Sequence, residues 1–267
     1  MSDLRPIPRT QASYILELLK VRRTRDRERV FVLEGAKPIL ELVEHVPQKI
    51  VTLVLSPTFL ERQSPAMQDR LLSGPYQTYM SPDTRFAQLS DVESPAGILA
   101  IVRQPHWDEA AILSRKTILG LYGDRLQDPT NLGTIVRTAA GLGLDALWLS
   151  PNSVDVFNPK VVRATAGTLF HLPIFQRTEL GALLSDGMTV VTADSQTTGS
   201  KPIRNWRSRH AKTLLAIGSE SEGLSPTVRS HAHLSITIPL NKWVESLNVA
   251  AAAAIVLYHA SSLPIEE

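Results

Sequence analysis

Apolar and polar positions alternate between two rhythms along the chain. Spacings of three and four predict helices over residues 12–19, where Ile15, Leu16, Leu18 and Leu19 face inward, and over 38–46, 57–72 and 82–89. Short apolar runs predict strands at 30–33, 51–55, 76–80 and 98–102. That α-β-α-β order describes a small sheet covered by helices. The pattern lapses at Gln104-Pro105-His106-Trp107-Asp108, and 109–113 is at most a helical turn. Residues 104–115 therefore read as a linker between a first domain, 1–103, and a second, 116–267.

The second domain opens on an apolar run, 118–122, that reads as a buried strand. Asp128-Pro129-Thr130-Asn131 then breaks the chain and offers N-cap side chains. Leu132, Ile135, Val136 and Ala139 form the inward stripe of a helix that Gly141 and Gly143 end. Arg137 lies well off that stripe. Strands come next at 146–149, 172–175, 189–193, 213–217 and 234–238, with helices at 160–164 and 180–184. A long polar loop is expected over 196–209. Ser225 and Pro226 open another helix, and Ser246 is expected to cap a last one over 247–261. In a parallel sheet the polar loops 128–131, 218–223 and 239–246 open at one edge, where α/β folds place ligands.

Composition narrows the picture. At 267 residues, 43% hydrophobic and 20% charged, the chain is globular and buries a sizeable core. It has no cysteine, which excludes disulfides, thiolate metal sites and a cysteine nucleophile. No signal peptide is evident and the longest apolar run is too short for a bilayer, so a cytoplasmic protein is expected. The net charge is only +2, but Lys20, Arg22, Arg23, Arg25, Arg27 and Arg29 crowd one segment against Asp26 and Glu28. Such a cluster suits a phosphate backbone; a solvated helix end is the plain alternative.

No loop has the glycine spacing of a dinucleotide or nucleoside-triphosphate site, so a cofactor without phosphates fits better. Asn248 stands among apolar neighbours, Leu247, Val249 and Ala250, and requires a partner for its amide. His231 and His233 lack a third ligand, so no metal is expected. No nucleophile elbow accompanies the serines and histidines.

Taken together, Gln127-Asp128-Pro129-Thr130-Asn131-Leu132-Gly133-Thr134-Ile135-Val136-Arg137-Thr138-Ala139, Gly218-Ser219-Glu220-Ser221-Glu222-Gly223-Leu224-Ser225, and Ile238-Pro239-Leu240 with Glu245-Ser246-Leu247-Asn248-Val249-Ala250 resemble the motifs of the SpoU (TrmH-like) branch of the SPOUT RNA methyltransferases. Asn158 to Gly167 also looks like the family, and the first domain is similar to a ribosomal-protein-like α/β sandwich that binds substrate in many rRNA-modifying members. The chain departs from the pattern at Thr130, at Ser221 where glycine is frequent, and at Asn241-Lys242-Trp243, which replaces a glycine-containing turn.

The resemblance implies a C-terminal parallel-sheet domain with a trefoil knot, a homodimer, and S-adenosylmethionine as cofactor. Residue reading alone gives an unknotted doubly wound sheet. The implied reaction is methyl transfer to a ribose 2′-hydroxyl, in rRNA before tRNA. The family's roles fall on Arg137, Asn131, Glu220, Ser246 and Asn248 for catalysis, and on Gly218, Gly223, Ile238 and Leu247 for the cofactor. Arg22, Arg23, Arg25, Arg27 and Arg29 are the expected RNA contacts. A free guanidinium is a poor base because its pKa exceeds about 12, so Arg137 is expected to stabilise the developing alkoxide. A non-catalytic RNA-binding protein and a nicotinamide-dependent dehydrogenase are the alternatives from other classes.

Overall fold

The computed structural model describes residues 5–194 and 199–266. These divide into two compact units, one of the residues up to 105 together with 157–167, the other of 106–156 together with those from 168 onward. In chain order the first stretch runs α1 (Arg9–Lys20), α2 (Arg22–Glu28), β1 (Val30–Glu34), α3 (Ala36–His45), β2 (Ile50–Leu55), α4 (Pro57–Glu61), α5 (Pro65–Ser73), β3 (Gln77–Met80), α6 (Asp83–Phe86) and β4 (Ile98–Arg103). The sheet order is β1-β4-β2-β3, antiparallel except for the β2–β3 pair. One face buries Val30, Val32, Val54, Leu99 and Ile101 under Ile15, Leu18, Phe86 and Leu89. Helix α9 (Pro159–Ala164) belongs to this unit, and Phe157 before it stands 5.1 Å from the ring of Phe31.

One expectation for this unit changes. The helix foreseen over 57–72 is two helices. Ser64 Oγ accepts the Met67 amide at 3.3 Å and Pro65 takes the first helical position, so the chain caps and restarts there. The basic segment is itself mostly a helix, α2, ended by Arg29 in the left-handed conformation at φ 55°.

The second unit contains α7 (Glu109–Leu113), β5 (Ile118–Gly123), α8 (Pro129–Gly141), β6 (Ala146–Leu149), β7 (Ile174–Gln176), α10 (Leu180–Ser185), β8 (Thr189–Ala193), β9 (Lys201–Pro202), β10 (Lys212–Ile217), α11 (Pro226–Ser230), β11 (Leu234–Thr237) and α12 (Val249–Ser261). Its strands are ordered β7-β6-β5-β10-β8-β11-β9 and every pairing is parallel. Trp148, Ile118, Val190, Leu214 and Ala216 fill its core with Leu183 and Val228. Part of the polar loop expected over 196–209 lies outside the described residues; the rest of it holds β9 and a helical turn, Ile203–Asn205.

After β7 the chain returns past β5 and β10 slots in beside it. The order therefore reverses between β5 and β10, which leaves a crevice at their carboxyl ends. The last helix starts two residues later than expected. Asn248 is its N-cap, its Oδ1 accepting the amides of Ala250 and Ala251 at 2.9 and 3.3 Å, whereas Ser246 lies in the preceding loop. An amide side chain here satisfies orphan donors that a serine two residues earlier cannot reach. Asn248→Ala is expected to cost about 1 kcal/mol in urea unfolding, and Ser246→Ala less than about 0.5 kcal/mol.

Candidate active site

The loops after β5 and β10 are stitched together by carboxylates. Asp124, buried at the end of β5, accepts the Ser225 amide at 2.6 Å and so fixes the start of α11. Beside it Tyr122 donates to the Thr178 carbonyl at 3.1 Å; burial, and then the Asp124 charge, push its pKa up to about 12. Arg125 adopts φ 57° and pairs with Glu222, with its second terminal nitrogen 3.2 Å from the Gly223 carbonyl. Neither Asp124 nor Arg125 was foreseen; the only signal is an acid and a base where a buried strand meets a loop.

Glu220 gathers the most donors. Its carboxylate accepts the amides of Gln127 and Asp128 at 3.4 and 3.3 Å and the Asn131 side-chain amide at 3.0 Å. Asn131 Oδ1 in turn accepts from Asn248 Nδ2 at 2.9 Å, while Asp128 caps α8 through the Asn131 amide at 2.8 Å. One chain of side chains thus links all three loops: Glu220, Asn131, Asn248. The partner that Asn248 required is Asn131, together with the first amides of α12.

The end of β8 with Asp194, the loops after β10 and β11 and one side of α12 line an open cavity of about 870 Å³. Gly218, Glu220, Gly223, Ile238, Ser246, Leu247 and Asn248 all line it. A Cβ at Gly218 would overlap the backbone of Gly223 and Leu224, because Ser219 and Gly223 exchange both backbone hydrogen bonds at 3.0 Å. The left-handed residue of this turn is Gly223, at φ 67°; Ser221 has no positive φ, so the serine is accommodated without strain. Thr130 likewise sits in the first turn of α8, in helical backbone.

Asp194, Glu220 and Glu245 line the cavity, and no Lys, Arg or His does so among the described residues. Asp194 is held by Arg229 at 2.8 Å, a pair the sequence reading missed. A wall of carboxylates, backbone amides and aliphatic side chains repels phosphates and suits a ligand with cationic centres.

Two expected groups stand elsewhere. Arg137 does not line the cavity; it is exposed on α8 and forms no hydrogen bond or ion pair among the described residues. In the first unit, Arg23, Arg27 and Arg29 are exposed and Arg22 is half-buried beside Asp26 at 3.6 Å. Arg25 is a correction. It is 3% exposed, and its guanidinium donates to the Leu18 carbonyl at the end of α1 at 2.6 Å, so it stabilises a helix terminus and is not presented to RNA. His233 Nδ1 accepts the Val190 amide at 3.1 Å, and His231 Nδ1 lies 2.8 Å from the Thr227 carbonyl, so both rings are engaged by backbone.

Comparison with known proteins agrees with this architecture. Residues 119–258 match the SpoU rRNA Methylase family, and residues 15–100 match the MRM3-like substrate binding domain. The 23S rRNA (uridine(2479)-2'-O)-methyltransferase of Streptomyces viridochromogenes is 31% identical, with 91% of this chain and 86% of that protein covered. The 23S rRNA (guanosine(2553)-2'-O)-methyltransferase RlmP of Bacillus subtilis is 34% identical over 68% of this chain and 72% of its own. Among solved structures, the SpoU methyltransferase AviRb from Streptomyces viridochromogenes, in complex with the cofactor AdoMet, aligns with a TM-score of 0.82 at 28% identity, over 95% of this chain and 97% of that one. The chain belongs to the SpoU rRNA methylase family.

Glu220→Ala would leave the Gln127 and Asp128 amides and the Asn131 side chain without their acceptor. Amide hydrogen exchange is expected to speed up across 127–131 and 218–224, with the core strands unchanged. Unaltered exchange would mean that Glu220 does not hold the loops.

Proposed function

We propose that this protein transfers a methyl group from S-adenosylmethionine to a ribose 2′-hydroxyl of rRNA. The observation that carries the reading is the Glu220–Asn131–Asn248 chain, which holds the three motif loops at a cavity walled by carboxylates and backbone. The residues present fit that cofactor: Leu240, Leu247, Val249 and Val256 offer apolar surface for an adenine, Gly218 exposes backbone, and Asp194, Glu220 and Glu245 complement an ammonium and a sulfonium. When bound, S-adenosylmethionine supplies an electrophilic methyl group. The names of the relatives, which act on ribose 2′-oxygens of 23S rRNA, support rRNA as the substrate class.

The roles then follow from chemistry. A guanidinium is a poor base but a fork of cationic donors, so Arg137 stabilises the developing alkoxide and grips a neighbouring phosphate. Asn131 and Glu220 position the ribose end of the site, and Ser246 and Asn248 shape it. Gly218, Gly223, Ile238 and Leu247 hold the adenosine largely through backbone groups. In the first unit, Arg23, Arg27 and Arg29 present charge to the RNA backbone. A homodimer is supported by the outer stripe of α12, where Ile255 and Tyr258 are 42% and 69% exposed and Ala251 lies one turn before. The knotted path of the family and a cytoplasmic location complete the proposal.

The test uses labelled S-adenosylmethionine with unmodified rRNA and tRNA in separate reactions, followed by alkaline digestion. Label in alkali-resistant dinucleotides from rRNA is the expected result, since a 2′-O-methyl blocks cleavage at its own phosphodiester. Label in mononucleotides, or in tRNA alone, would overturn the reading. Arg137→Ala is expected to lower transfer by at least about a hundredfold with cofactor affinity by calorimetry nearly unchanged. Tyr258→Glu is expected to shift the protein from dimer to monomer in sedimentation velocity.

A further inference from the structure

The turn that departs from the family pattern projects from the wall of the cavity. Leu240 and Glu245 line the cavity on either side of it, and Asn241 folds the four residues between. Asn241 Oδ1 accepts the Trp243 amide at 3.3 Å and its carbonyl accepts the Val244 amide at 2.9 Å. Lys242 and Trp243 are thereby held at the tip. Trp243 is 81% exposed, the most exposed of the large hydrophobic side chains among the described residues, and the Lys242 ammonium stands 4.8 Å from its ring centroid. Trp148 and Trp206, by contrast, are buried. An indole left in water forgoes the free energy of burial that its size would otherwise supply, and within the turn only the Lys242 ammonium stands over one of its faces.

We propose that Trp243 is a stacking platform for an unpaired RNA base beside the target ribose, with Lys242 contacting a flanking phosphate. This rests on the reading of RNA as substrate. Unpaired bases are recognised by aromatic faces combined with nearby cations, and such stacking tolerates any base because every base has a π-face. The geometry matches that demand. The ring is rigid, mounted on a short hydrogen-bonded turn, and adjoins the loop that carries Ser246. Its charged neighbour is a cation, which complements a phosphate, while Glu245 lies on the cavity side. The exposed stripe of Ile255 and Tyr258 belongs to a different element, α12, and supplies an apolar face for a second copy without this turn.

The experiment titrates the full-length protein with a short oligouridine, and with an abasic oligomer of equal length, while tryptophan emission is read at its red edge. Oligouridine is expected to quench the wild-type protein and the abasic oligomer to leave it unchanged. Trp243→Phe, which keeps a stacking face, is expected to lose the quenching and bind within a few-fold of wild type by anisotropy of labelled RNA. Trp243→Ala is expected to weaken oligouridine binding and raise the KM for RNA about tenfold, with cofactor affinity held. Lys242→Ala is expected to reduce the slope of log affinity against log salt by about 0.7. Quenching that persists in Trp243→Phe, or undiminished RNA affinity in Trp243→Ala, would overturn the proposal. So would a concentration-dependent blue shift without RNA that Trp243→Ala abolishes together with dimerisation, since the ring would then lie under a second copy. If the wild-type protein bound RNA through Trp243 yet methylated none, the functional reading would fall and the stacking platform would stand.

Discussion

A carboxylate that accepts hydrogen bonds from one loop while standing on another is the constraint on which the site depends. Glu220 binds the amides of Gln127 and Asp128 and the side chain of Asn131, and Asn131 passes the connection to Asn248. Each of these groups is partly open to water, so the individual bonds contribute modestly, about 0.5–1.5 kcal/mol apiece when neutral and more when charged. Their value lies in being shared. Three loops from distant parts of the chain cannot shift independently once one carboxylate and two amides connect them, and the buried Asp124 adds a second tie from β5 to the start of α11.

The sheet makes this arrangement available at low cost. A parallel sheet delivers every strand-end loop to one edge, and the reversal of order between β5 and β10 opens a crevice there. The cavity therefore needs few specialised residues. Close backbone approach at Gly218, a left-handed turn at Gly223 and aliphatic walls from β11 and α12 make most of it. Among the described residues, charge enters the lining only as carboxylates, and the basic side chains lie outside it.

Much of this was legible in the chain. The strands and the helix 129–141 arise from apolar spacing and from Asp128-Pro129, because capping and periodicity are local. The three motif loops were legible as polar breaks at strand ends, and the family resemblance placed functional roles on them. What escaped the sequence was whatever depends on distant partners. Asn248 rather than Ser246 caps α12 because Asn131 is there to orient it. Arg25 looks like its neighbours in a basic run, yet its side chain folds back onto α1. Asp124, Arg125 and the Asp194–Arg229 pair carry no spacing signature at all, since each partner lies on another element.

The order in which these pieces occur along the chain has a consequence for biosynthesis. The site spans from Gln127 to Val256, so its last wall, α12, emerges from the ribosome long after its first loop. The first unit also waits, because α9 and Phe157 arrive only after the second unit has begun. Domains usually fold as they emerge, amino-terminal first. Here neither unit can finish before a good part of the other has been made, and a nascent chain cannot assemble the complete cavity until α12 has been translated.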